Sequence, residues 1–142
     1  MSLTSCYPVL MTRDVATTSA FYREHLGFEP TFDSSWYVSL RRDTFELAIL
    51  DADHDTVPTA YRTTSAGILI NLEVDDVDAV HQLLVVDGPL EALTPLRSEE
   101  FGQRHFILAG PDDVLIDVIT EIEPTGEFAA TYALTNDETA AR

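Results

Sequence analysis

Apolar and polar residues alternate along this chain in short segments whose order occurs twice. Residues 7–11 (Tyr-Pro-Val-Leu-Met) form an apolar run that suits a strand. Thr12 or Asp14 can cap the segment that follows, 15–26, where Val15, Ser19, Tyr22 and Leu26 recur at helical spacing with Phe21 and His25 beside them. Gly27 marks the helix end. Three strands are expected next, over 28–33, 35–41 and 45–50, the last two joined by a turn at Arg42-Asp43-Thr44. A polar, irregular stretch over 51–66 reads as a linker.

The pattern then restarts. Residues 67–74 suit a strand, Asp75 or Asp76 caps a helix over 77–86, and Asp87-Gly88-Pro89 stops it. Strands are expected over 90–96, 103–109 and 114–119, with Pro111-Asp112-Asp113 turning the last pair into a hairpin. Asp14-Val15 and Asp76-Val77 stand 62 positions apart, and the same shift carries Phe21 onto Leu83. A β-α-β-β-β order used twice within roughly 120 residues is the mark of an internal duplication. The fold expected is therefore α+β: two βαβββ half-modules, 7–50 and 67–120, in a single domain spanning 1–142. Each half needs a helix on one face of its sheet. A curved mixed sheet of this kind, with helices outside, leaves a cup free to enclose a ligand. The tail, 121–142, is polar with scattered apolar residues, and suits either a short docked helix or an unstructured end.

Composition adds limits to this pattern. A chain of 142 residues with 45% apolar content can bury a core without covalent staples. Its single cysteine, Cys6, excludes an internal disulfide and a cysteine-built zinc cage. Its apolar runs, such as Ile68-Leu69-Ile70, are only a few residues long, far below the roughly 20 residues of a membrane span, and the N-terminus shows no signal-peptide pattern. A cytoplasmic location is the expectation. The net charge is −17, and all eight basic residues are arginines. Such a surface repels phosphate backbones and anionic membranes, so neither nucleic acid nor membrane is expected as a partner.

The usual catalytic signatures are missing. No serine sits in a Gly-x-Ser-x-Gly setting, and no glycine-rich phosphate loop or Gly-Lys-Ser/Thr occurs. The acidic run Asp51, Asp53, Asp55 lacks the glycine and final glutamate of a calcium loop and reads as a solvated turn. Of the four histidines, His25 and His81 belong to helices and His54 to the linker. Only His105 lies on a strand of the expected cup.

The opening Val9-Leu10-Met11-Thr12-Arg13-Asp14-Val15, followed by Ala20-Phe21-Tyr22 and His25-Leu26-Gly27-Phe28, resembles the start of a glyoxalase/bleomycin-resistance/extradiol-dioxygenase (vicinal oxygen chelate) protein. The second half is similar at Val74-Asp75-Asp76-Val77, at Phe101-Gly102-Gln103-Arg104-His105-Phe106, at Gly110-Pro111-Asp112-Asp113 and at Leu115-Ile116-Asp117-Val118-Ile119. The resemblance implies that metal-using relatives hold a divalent ion with side chains from the first and last strands of each half. Carried over, those positions are Tyr7, Ala48 (with Glu46 and Leu50 two residues to either side), Leu69 and Asp117. Leucine cannot coordinate, and three imidazole or carboxylate ligands are the usual requirement. No metal and no other cofactor is therefore expected.

The resemblance is nearest in character to the metal-free bleomycin-resistance-type proteins, in which an aromatic residue before a pocket strand stacks on a flat group of the drug. Phe101 takes that place here, and Trp36 (preferred over its neighbour Tyr37) and Tyr7 are further candidate walls. Glu46, Glu73 and Asp117 are expected to face the cup, with Arg41 and Arg104 as partners or a cationic ligand in their stead. The function expected is metal-independent binding of a planar compound, a cation being one option, with Tyr7, Trp36, Glu46, Ala48, Leu69, Phe101, His105 and Asp117 as ligand-binding residues. A lyase or isomerase with Asp117 or His105 as acid or base remains the first alternative, and a non-catalytic scaffold the second. A homodimer is implied by the resemblance alone.

Overall fold

The computed structural model describes residues 1–130 of the chain; the expectation for the tail beyond residue 130 lies outside the described residues. The chain divides into two compact units. One takes Met1–Ile68 together with Gly110–Val114, and the other takes Leu69–Ala109 and the described residues from Leu115 onward. The assignment of the 110–114 turn to the first unit is not visible in the linear repeat.

In the first unit, β1 (Val9–Thr12) leads into α1 (Val15–Leu26), then β2 (Glu29–Asp33), β3 (Tyr37–Arg42) and β4 (Phe45–Asp51). The strands form an open mixed sheet in the order β1-β4-β3-β2, with β1 and β4 parallel and the rest antiparallel. Asp14 caps α1 by accepting from the Thr17 amide at 3.0 Å and the Thr17 hydroxyl at 2.7 Å, and Gly27 closes it. The cap hydrogen bonds, backbone first, hold the Asp14 carboxyl below its ordinary value. Thr12 and Thr18 meet through their hydroxyls at 2.9 Å, which places α1 on the face of the sheet that carries Leu10, Val38, Leu40, Leu47 and Ile49. All five of these are buried, as are Tyr22 and Leu26 from the helix. Alternation puts Val9, Met11, Tyr37, Ser39, Arg41, Glu46 and Ala48 on the opposite, helix-free face.

The second unit repeats the plan: β5 (Leu69–Glu73), α2 (Val77–His81), β6 (Ala92–Glu99), β7 (Gln103–Ala109) and β8 (Leu115–Glu121), in the order β5-β8-β7-β6. Asp76 caps α2 through the Ala79 amide at 3.0 Å. The helix expected over 77–86 is α-helical only to His81 and continues as a π-helical turn, Gln82–Val86. Three contacts put α2 against one face of the sheet. The Val77 amide donates to the Thr120 hydroxyl at 2.9 Å, the His81 ring meets Phe106 edge-on at 5.0 Å, and Arg104 forks onto Asp78 at 2.8 and 2.9 Å. Phe106, Leu108, Ile116 and Val118 form the core on that side. The strand expected over 90–96 begins two residues later and runs to Glu99, with irregular pairing between Ala92 and Arg97. Pro95 has no amide hydrogen to give a ladder and lies within that irregular stretch of an edge strand.

Candidate functional site

Strand register builds the site in the second unit. His105 on β7 stands opposite Arg97 of β6 and Ile119 of β8. On the same helix-free face, Glu99 lies one diagonal step away on β6 and Asp117 one diagonal step away on β8, within side-chain reach across a pleated sheet. His105 Nδ1 is 2.7 Å from Asp117 Oδ1, and Nε2 is 3.2 Å from Glu99 Oε1. Each carboxylate oxygen accepts from whichever of these ring nitrogens carries a proton. His105 and Asp117 retain 6% and 7% of their surface, so this pair sits where partners matter most. Arg97 Nε reaches the same Glu99 Oε1, and its guanidinium, followed by His105, holds the Glu99 carboxyl below its ordinary value. Phe101, in the turn between β6 and β7, brings its ring within 6.4 Å of the His105 ring at 73°.

Leu69, the remaining candidate in this unit, is exposed at the start of β5 opposite Leu115. It touches none of the polar cluster through any hydrogen bond. Arg104, expected as a partner for the buried carboxylates, faces the helix side instead and pairs with Asp78, whose carboxyl it holds low. The physical reason is strand parity: Arg104 is one residue from His105, so its side chain emerges on the opposite face. The partner that Asp117 requires is supplied by His105.

The first unit treats its candidates differently. Glu46 accepts from Arg41 Nη2 at 3.0 Å and from the Ser5 hydroxyl at 2.9 Å, and these bonds, Arg41 first, hold its carboxyl low. The pair is open to solvent. Ala48 is fully buried between Val9 and Ser39. Tyr7 is half-exposed, and the Tyr37 hydroxyl is raised above its ordinary value by burial first and by the neighbouring Tyr7 hydroxyl second. Trp36 precedes β3 and stacks flat on His54, centroids 3.9 Å apart. The register puts Tyr37, not the expected Trp36, on the helix-free face opposite Leu50.

Sequence reasoning missed Glu99. The signal was present in the turn: with Gly102 next to Gln103, closing the hairpin pairs Glu99 with Gln103 and sets it diagonal to His105. Donor chemistry at Tyr7, Ala48, Leu69 and Asp117 does not fit a divalent ion. A methyl and an isobutyl group cannot coordinate, and Asp117 is committed to His105. Among the described residues, no group of three or more His, Cys, Asp or Glu is arranged to hold a metal. Nor is any described helix long and apolar enough to cross a membrane.

Known structures resemble this one closely in fold. A protein of unknown function from Agrobacterium tumefaciens str. C58 aligns at 26% identity with a TM-score of 0.67, covering 86% of this chain and 97% of its own. A glyoxalase/bleomycin resistance protein/dioxygenase from Nocardioides aligns at 18% identity and TM-score 0.70, covering 89% of each chain. A lactoylglutathione lyase from Agrobacterium tumefaciens aligns at 17% identity and TM-score 0.65, covering 84% of this chain and 95% of its own. No curated protein matches by sequence. The sequence pattern of one family matches residues 6–118, from before β1 into β8. On that match and this fold, the chain belongs to the Glyoxalase/Bleomycin resistance protein/Dioxygenase superfamily.

Proposed function

We propose that this chain binds a planar organic molecule, preferentially a cation, on the helix-free face of its second unit, without a divalent ion. One observation carries the reading: an aromatic ring, Phe101, stands beside a buried histidine that is flanked by two carboxylates. A flat ligand gains stacking area on Phe101, and a cationic one gains further from the negative face of that ring. The strongly acidic chain adds long-range attraction for such a ligand. On this reading the protein acts as a sequestering protein of the bleomycin-resistance type, working as a homodimer. The lack of coordinating groups at Ala48 and Leu69 supports its independence from metal.

The test is a fluorescence titration with proflavine, a planar cation, against 8-anilinonaphthalene-1-sulfonate as an anionic control. Proflavine should bind saturably, the anion much more weakly, and Phe101→Ala should weaken proflavine about 3- to 10-fold. Equal binding of both dyes, or none, would sink the proposal. A divalent ion that binds stoichiometrically and raises the melting temperature would defeat its metal-free part.

The His105–Asp117 hydrogen bond favours a second reading, an acid–base enzyme of the lyase or isomerase kind. A carboxylate that orients an imidazole is one arrangement that supports proton transfer. Turnover that vanishes in His105→Gln while proflavine binding persists would select this reading over the first.

A further inference from the structure

The chain does not leave the second unit at the end of β8. It runs on beside the β6–β7 turn, where the Ile122 amide donates to the Gly102 carbonyl and the Thr125 amide to the Glu100 carbonyl, each at 2.9 Å. Two glycines make this path possible. Gly102 has φ 105°, and a Cβ there would stand 3.1 Å from the Ile122 carbonyl oxygen and 3.5 Å from Pro124. Gly126, at φ 60°, turns the chain just before Phe128. Both conformations are ones that other residues rarely adopt. The outcome is a row of three rings. Phe128 meets Phe101 edge to face at 6.1 Å and 79°, and Phe101 meets His105 at 6.4 Å and 73°.

We propose that residues 122–128 are a strap that holds Phe128 as an internal occupant of the Phe101 ring, and that an aromatic ligand must displace it to bind. This rests on the binding reading above and adds the regulation of that site. Edge-to-face rings at this separation leave no slot for a flat guest, which needs about 7 Å between two parallel faces to stack on both. Phe128 is therefore a competitor for the ligand and not a second wall. Among the described residues, two backbone hydrogen bonds and one ring pair hold this segment, contacts that can open without unfolding the sheet beneath.

Phe128→Ala and Phe128→Leu in the full chain test the strap, the second variant keeping bulk without a ring. Proflavine should bind both variants about 3- to 10-fold more tightly than the parent. Two readouts do not depend on the cation. Amide exchange at Thr125 should quicken severalfold in Phe128→Ala. Emission from Nile red, a neutral flat dye, should rise in Phe128→Ala and fall back in the Phe101→Ala/Phe128→Ala double variant. Weaker proflavine binding in Phe128→Ala would make Phe128 a wall and overturn the proposal. So would unchanged exchange together with unchanged Nile red emission, whatever proflavine does. If proflavine binds no variant while exchange and Nile red respond as expected, the strap stands and the cation-binding reading fails.

Discussion

The two units use one plan and fill its equivalent positions with different chemistry. In the first, Tyr37 stands opposite Leu50, with Ala48 on the diagonal. In the second, His105 stands opposite Ile119, with Asp117 on the diagonal. Ala48 is fully buried, and the polar groups of its face, Arg41 and Glu46, pair in contact with solvent. The second unit buries its ionisable pair and extends it to Glu99. Surface pairs contribute little because water competes for both partners, whereas a buried group stranded without its partner is heavily penalised. The helix sides differ in the reverse sense. Tyr22 buries a hydroxyl that finds no hydrogen-bond partner among the described residues, while Leu84, which stands 62 positions on, buries only carbon. The duplication thus preserved the backbone plan and left each half free to place polarity where it is tolerated.

The harshest way to break the comparison is to give the first unit the second unit's carboxylate. Ala48→Asp should destabilise the fold by about 4 kcal/mol, because a buried charge then lacks an imidazole. Adding Tyr37→His, which rebuilds the diagonal pair, should recover part of that loss. Urea unfolding midpoints measure both, and a double variant no better than the single one would show that the two positions are not equivalent.

In the second unit, Asp117→Ala strands His105 and should cost about 3 kcal/mol, while the double variant Asp117→Leu/His105→Leu should lie within about 1 kcal/mol of the parent. The same denaturation series tests this, and a mild Asp117→Ala would mean that Glu99 or water already satisfies the imidazole.

The smallest effect concerns Tyr22. Burial, reinforced by Asp112, pushes its hydroxyl up to about 12 from an ordinary 10.0. A raised value means that the folded protein keeps a proton which the unfolded chain gives up. The stability linked to Tyr22 is therefore complete below pH 10 and declines as pH rises towards 12. Tyr22→Phe should be equal or slightly more stable at pH 7, having lost an orphan hydroxyl, and should lose up to about 2 kcal/mol less than the parent between those limits. Parallel curves for the two proteins above pH 10 would refute this.

Much of the fold was legible in the sequence because its signals are local. Caps at Asp14 and Asp76, the stop at Gly27, and alternation along 37–41, 45–50 and 103–109 depend on residues within a turn or a pleat of each other. The weaker expectations fell where the structure is irregular. The strand around Ala92 slipped by two residues beside Pro95, and the second helix loosened into a π turn. Alternation says that neighbours such as Trp36 and Tyr37 face opposite ways without saying which way either faces.

For the site, the sequence by itself determined the candidates' chemistry: which strands carry Asp117 and His105, that Phe101 precedes them, and that Ala48 and Leu69 cannot bind an ion. Only the tertiary structure decided the pairings. Asp117 lies twelve residues from His105 in sequence and 2.7 Å from it in space, a relation set by the β7–β8 register. Arg104 and Asp78 are joined through a strand–helix packing that no linear spacing encodes. Phe128 meets Phe101 where the chain passes close to Gly102 and turns at Gly126. Periodicity is a property of neighbours along the chain, whereas partnership between side chains depends on how distant strands are aligned, which the chain settles only when the sheet closes its hydrogen bonds.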